Sequence, residues 1–414
     1  MINRIKLGEP SKCIQLVTSQ RSKESANKSP GKIPDTDIVS GLGTSIPNSY
    51  GIEFNALRGG FQEDVKYIDI NNGTLTTRVV TDLGSSIVDA TLNNKTGDGW
   101  KFRGGEVVGP HFLNHTDNNG LGWIRNFGPF AGNLIGGVHA GPASIVKTPN
   151  NTGAIVETLY PLHGYLGAIP ASEVTISFYQ DPTPAIVLIS IHKEGFHEFG
   201  PYLKHKIKFT FPLNENRFQV EHRITNMSSE PREVMQMYHL NQIAEAGARI
   251  YAPIAEIRAR DSSSEVEKWR NGVYTVDSLT PGHAEEVSYA LLNRDENGRT
   301  ISVMVSADKK SAVSISYGKD LPHTTYWIAP GLNGYAVEPG LNHSVNRKKL
   351  MQGGNELGIS PILVLSRASL ASTFEVGLHE GKNVLKAIQE VVDLMGGVSS
   401  VVNPSPLFRD DEAR

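Results

Sequence analysis

Two histidines and one carboxylate stand out because each lies beside strand-like sequence. They are His163 in Leu162-His-Gly164, His239 in Glu233-Val-Met-Gln-Met-Tyr-His-Leu-Asn241, and Glu338 in Tyr335-Ala-Val-Glu-Pro-Gly340. Imidazole and carboxylate are the groups that most readily give and take protons near neutral pH. Strand period places alternate side chains on one face, so Met235, Met237, His239 and Asn241 share a side. An imidazole beside an amide at the end of an apolar row suits a pocket that is both shaped and wet. The alternative for His239 is a buried histidine satisfied by a backbone carbonyl.

Strands must position these groups. Val65–Ile70, the turn Asn71-Asn72-Gly73 and Thr74–Val80 read as a hairpin. Further strand-length runs follow at Ala154–Tyr160, Glu173–Tyr179, Ala185–Ile191, His205–Phe211, Arg217–Thr225 and Glu233–Tyr238, then at Thr300–Val305, Ala312–Tyr317 and Ile362–Leu365. Strand follows strand without helical spacers, which predicts antiparallel pairing and an all-β fold, a large antiparallel β-sandwich. Residues 8–50 are rich in Ser, Lys, Pro and Gly and show neither period, so residues 1–50 read as a flexible N-terminal arm and 51–380 as the sandwich domain. Val384, Leu385, Ile388, Val391, Val392 and Met395 recur at helical spacing before Gly396-Gly397. Residues 381–414 are therefore a C-terminal helix and tail, the helix packing on the sandwich edge or on a second subunit of a homo-oligomer.

Composition excludes several partners. The 414 residues carry a net charge of −3, which provides no basic field for nucleic acid. No run approaches the ~18 apolar residues of a membrane helix, and Met1-Ile-Asn-Arg-Ile-Lys-Leu7 lacks a signal-peptide core. With Cys13 the single cysteine, the reading is a cytoplasmic protein without membrane partners. His192, His197 and His205, with Glu198, suggest a metal cluster, but their spacing fits no ligand template, so neither metal nor other cofactor is expected.

The succession Leu162-His-Gly164, Pro170-Ala171, Tyr238-His-Leu-Asn241 and Val337-Glu-Pro-Gly340 resembles the aldose 1-epimerase (galactose mutarotase-like) superfamily, over roughly residues 65–375. It is closest to the branch described only as a domain of unknown function related to aldose epimerases. Trp123-Ile-Arg-Asn-Phe127 and Thr81–Ile87 are similar to that branch too. Gly128–Gly137 departs from the superfamily's Gly-Gly-Leu and Thr-Cys-Gly-Leu pattern. The resemblance implies a galactose mutarotase-like supersandwich, a small-molecule carbohydrate as partner, and interconversion of sugar anomers by general acid/base catalysis. Glu338 would be the base, ionised at neutral pH, and His239 the acid. His163 would hydrogen-bond the ring oxygen or a neighbouring hydroxyl.

His239 and Glu338 are expected on opposite sides of a sugar-sized gap, too far apart to bond each other. Arg125, Asn241, Trp327 and Tyr238 are the substrate-binding candidates, Arg125 (or Arg103) as a bidentate donor and the aromatic residues, with Trp123, as stacking faces. Trp and Tyr in a sandwich also serve as plain core, and an arginine as a solvated surface group. Two other functions fit the same residues. One is a non-catalytic carbohydrate-binding protein; the other is a metal-dependent sugar isomerase or epimerase using His192, His197 and His205, or His163 and His239.

Overall fold

The computed structural model describes residues 13–20, 50–93, 99–150, 152–179, 183–195, 201–243, 245–262, 264–348 and 362–396. Two large antiparallel sheets face each other. The first runs Cys13–Gln20, Glu173–Tyr179, Ala185–Gly195, Tyr202–Pro212, Arg217–Asn226, Ser369–Glu380, Ser311–Tyr317, Thr300–Val305, Arg249–Tyr251, Val273–Thr275. The second runs Ile254–Ala259, Glu286–Leu292, His323–Ala329, Gly334–Gly340, Arg232–Ile243, Gly132–Gly137, Ser86–Leu92, Leu75–Val80, Lys66–Asn71, Gly51–Ala56. Within the stretch read as an arm, Cys13–Gln20 pairs with Glu173–Tyr179 and forms an edge of the first sheet; the rest of residues 1–49 lies outside the described residues.

The Asn71-Asn72-Gly73 hairpin forms as read, because Asn side chains supply the turn's hydrogen bonds: Gly73 N–H donates to Asn71 Oδ1, and the N–H groups of Thr74 and Leu75 donate to Asn72 Oδ1. Between the sheets lies a core that includes Ile186, Leu188, Phe209, Phe218, Tyr238, Leu240, Val337 and Phe374. Alternation sends every second side chain of these strands into it.

One end of that core is polar. His205 Nε2 lies 3.0 Å from Glu194 Oε2, and His205 Nδ1 lies 3.0 Å from His222 Nε2. All three side chains are buried. Glu194 also accepts the Val138 N–H at 3.2 Å. His192, in turn, engages Ser85, Ser190 and the Ile169 carbonyl. These contacts occupy the histidines that suggested a metal cluster; His197 lies outside the described residues. Among the described residues no group of three or more His, Cys, Asp or Glu side chains is arranged to hold a metal ion.

Gly137 leads into this cluster at φ +111, and a Cβ there would overlap Glu194 Oε2. Gly137→Ala is therefore expected to cost about 1–3 kcal/mol of stability, read as a lower urea midpoint. An unchanged midpoint would show that the Glu194 side chain moves aside freely.

The helix Lys382–Leu394 forms as its periodicity predicts. It lies on the outer face of the first sheet rather than at the sandwich edge, burying Val384, Ala387, Ile388 and Val391 against Tyr251, Ile301, Val303, Val305 and Ala312. No helix among the described residues is long and apolar enough to cross a membrane.

Candidate active site

The site is assembled on the outer face of the second sheet, the face turned away from the core. Register creates a row across six adjacent strands. Arg258 pairs with Tyr289, Tyr289 with Thr325, and Thr325 with Glu338. Glu338 then lies opposite His239, since Leu240 pairs with Val337 and Met237 with Gly340, and His239 pairs with Asn133. Their chain neighbours Leu134, Tyr238, Leu240, Tyr326 and Val337 point into the core. One face therefore carries the chemistry, and the other holds the sandwich together.

His239 Nε2 and Glu338 Oε1 are 3.0 Å apart, with side chains 5% and 3% exposed. This corrects the expectation of a gap too wide for a direct bond. In the anomer exchange that the resemblance implies, acid and base would reach two oxygens attached to the same carbon, which close approach of the two groups suits better than wide separation. Asn241 Oδ1 is hydrogen-bonded to His239 Nδ1, and Asn241 Nδ2 donates to the Phe130 carbonyl at 3.0 Å. The amide is thereby oriented, the His239 proton resides on Nδ1, and Nε2 presents a lone pair to Glu338. Burial, with the neighbouring Glu285, holds the Glu338 carboxyl well above the ordinary carboxylate range. Burial, with neighbouring His163, holds His239 well below the ordinary imidazole value. Both shifts favour the uncharged form of each group, and at this distance the two titrate as a coupled pair. Burial thus opposes the ionised form in which the sequence reading cast Glu338.

His163 joins them from a connecting loop. Its ring centroid lies 5.7 Å from that of His239 and 4.5 Å from Trp123. Its backbone sits at φ +59, in the left-handed region that non-glycine residues rarely occupy. Two bonds hold it there: the His163 N–H donates to the Gly141 carbonyl at 2.9 Å, and Nδ1 donates to the Ala140 carbonyl at 2.8 Å. Nε2 is left as a hydrogen-bond acceptor, which fits a sugar hydroxyl but not a ring oxygen. Burial pushes His163 down to about 4, so it stays neutral.

Aromatic rings wall the site. Trp123, Phe127 and Trp327 lie with centroids 5.8, 5.1 and 5.5 Å from His239. Trp327 Nε1 donates to Glu285 Oε2 at 2.7 Å, and Glu285 Oε1 pairs with Arg260 at 2.8 Å, forming a charged rim.

Asn241 and Trp327 of the sequence candidates are therefore placed beside His239. Tyr238 is not: it is fully buried on the opposite face, its hydroxyl bonded to Ser372 and Gln236, as strand alternation next to His239 requires. Arg125 is also outside the site. It is exposed, donates to the Phe112 carbonyl and lies over the Phe61 ring, because the short 3-10 helix Gly122–Asn126 turns Trp123 inward and Arg125 outward. Arg103 is exposed and donates to the Leu332 carbonyl.

Sequence reading missed Thr325, Tyr289, Arg260, Glu285 and Asn133, whose Nδ2 is buried with no partner among the described residues. Thr325 shares a face with Trp327 by strand period, a signal present in the sequence. Asn133 sits in a glycine-rich stretch with little strand propensity and gave none.

The domain of unknown function DUF4432 matches residues 62–362. The chain belongs to the DUF4432 family. Solved structures resemble this DUF4432 protein in fold. The crystal structure of a Klebsiella pneumoniae protein described as a "putative aldose 1-epimerase" superposes with a TM-score of 0.70 at 23% identity, covering 84% of this chain and 88% of that one. A galactose mutarotase-like protein from Clostridium acetobutylicum gives 0.54 at 12% identity, with 80% and 99% covered. A galactose mutarotase related enzyme from Lactobacillus acidophilus gives 0.51 at 11%, with 76% and 97% covered. At these identities the likeness is one of fold, the galactose mutarotase-like sandwich. A comparison with curated proteins returned no match.

Proposed function

We propose that this DUF4432 protein interconverts the anomers of a free sugar by general acid/base catalysis. The observation carrying this reading is the Glu338–His239 pair, two proton-transfer groups 3.0 Å apart on a face walled by aromatic rings. In the reaction, ligand hydroxyls entering the site solvate the pair, and the proton crosses from Glu338 to His239. Glu338 is now a carboxylate and takes the proton of the C1 hydroxyl. His239, now an imidazolium, gives its Nε2 proton to the ring oxygen as the C1–O5 bond breaks. Ring opening thereby restores the neutral pair, the open aldehyde rotates about C1–C2, and closure on the other face runs the transfers backwards. His163 Nε2 accepts a bond from a further hydroxyl, and Asn241 fixes the His239 tautomer. No net proton is exchanged with solvent, which suits a site this buried.

The test is exchange between the α and β anomeric signals of free aldoses by NMR magnetisation transfer. Catalytic amounts of the protein should accelerate exchange for at least one aldose, each positioned proton-transfer group contributing ~10²–10⁴-fold. Binding of a sugar without any acceleration would instead identify a carbohydrate-binding protein on the same fold.

A further inference from the structure

We infer that Arg347, more than a hundred residues away from either histidine in sequence, is the positioning residue for His163. This rests on the reading of the site as one that binds a sugar through His163. After Glu338 the chain crosses the face of the site as the segment Leu341–Lys348. Its Val345 packs against the apolar groups on both sides of His239, those around Trp327 and those around Trp123. The segment is pinned midway by the Tyr289 hydroxyl, which donates to the Ser344 carbonyl at 2.8 Å. Arg347 pins its end. The Arg347 side chain is 5% exposed, an unusual burial for a guanidinium, and its contacts converge on the loop that holds His163.

Nη1 of Arg347 donates to the Val138 carbonyl at 2.9 Å, and the Arg347 backbone N–H donates to Ser144 Oγ at 3.1 Å. These two bonds clamp both ends of residues 138–144, and the carbonyls between them, Ala140 and Gly141, are the two that hold His163 in its left-handed conformation. The guanidinium also lies 4.5 Å over the ring of Tyr160, three residues before His163. Nη2 is bonded to Glu233, at the start of the His239 strand. A single planar cation thus ties the His163 loop to the strand carrying its partner histidine. Lysine, with one donor centre, cannot span all of these contacts at once.

Arg347→Lys is expected to raise KM for the sugar about tenfold in the anomer-exchange assay, the equivalent of losing one or two hydrogen bonds, with kcat within about threefold. The decisive measurement is a double-mutant cycle with His163→Ala. If Arg347 acts through His163, adding Arg347→Lys to His163→Ala raises KM no further. Glu233→Gln, which leaves the guanidinium in place but weakens its anchor, should move KM in the same direction by less, and serves if the lysine variant does not fold. Additive effects in the cycle, or an unchanged KM in both variants, would overturn the assignment while leaving the proposed activity standing. Failure of the wild-type protein to bind or interconvert any aldose would overturn both.

Discussion

Glu338→Gln should reduce anomer exchange by about 10²–10⁴-fold while sugar binding stays within a few-fold of wild type. The amide has the shape of the carboxylic acid and donates to the His239 Nε2 lone pair much as the protonated Glu338 does, so the 3.0 Å contact survives. What it lacks is a proton that can be handed over and taken back. His239 then never becomes the imidazolium that protonates the ring oxygen, and no carboxylate forms to take the C1 proton. Magnetisation transfer measures exchange, and line broadening or calorimetry with the same sugar measures binding. Full exchange by the variant on a sugar that the wild type converts would remove Glu338 from the mechanism.

Acid should unfold the protein cooperatively, with a midpoint near about pH 5, well above the pH at which carboxylate pairing usually fails. Burial holds His115 and His163 down to about 4 and His139, His192 and His343 down to about 3, and it holds His222 and His239 well below the ordinary imidazole value. In the unfolded chain these imidazoles titrate near the ordinary value of 6.5. Between those limits the unfolded state binds protons that the folded state refuses, so stability is fully present above pH 6.5 and falls as the solution is acidified.

Each group contributes about 1 kcal/mol per pH unit once below that value, and seven together reach on the order of 10 kcal/mol by pH 5, comparable with the whole stability of a typical domain. Glu338 and Asp89 run the other way, because their raised carboxyls keep protons when folded that they lose when unfolded; they are two groups against seven. Far-ultraviolet circular dichroism and tryptophan fluorescence across pH 7 to 4 would follow the transition. Native signals retained at pH 4 would mean that the buried imidazoles are protonated in place.

The sandwich was readable because its strands announce themselves by run length and spacing, and the helix Lys382–Leu394 because its apolar residues recur at helical period. The order of the His163, His239 and Glu338 motifs pointed to one face. What the sequence did not reveal was the register. Asn133 and Tyr289 enter the site only because particular residues of six strands fall opposite one another, and no local pattern encodes pairings such as that of Asn133 with His239, more than a hundred residues apart. Arg125 was misplaced for a related reason: within a 3-10 helix, two positions of sequence separate an inward Trp123 from an outward arginine. Tyr238 could have been set aside from the alternation alone, since it neighbours His239 in a strand.

The strand Ser369–Glu380 is the seam of the first sheet, paired on one side with Arg217–Asn226 and on the other with Ser311–Tyr317. Among the described residues it is also the last strand in chain order. Until it pairs, the strands before it form two half-sheets whose facing edges have no partner, each a template for unwanted pairing with another chain. The chain therefore cannot complete the first sheet progressively from the front; closure waits for Ser369–Glu380, and the face carrying His239 and Glu338, built on the opposite sheet, is left supported on only part of its foundation until that strand is in place.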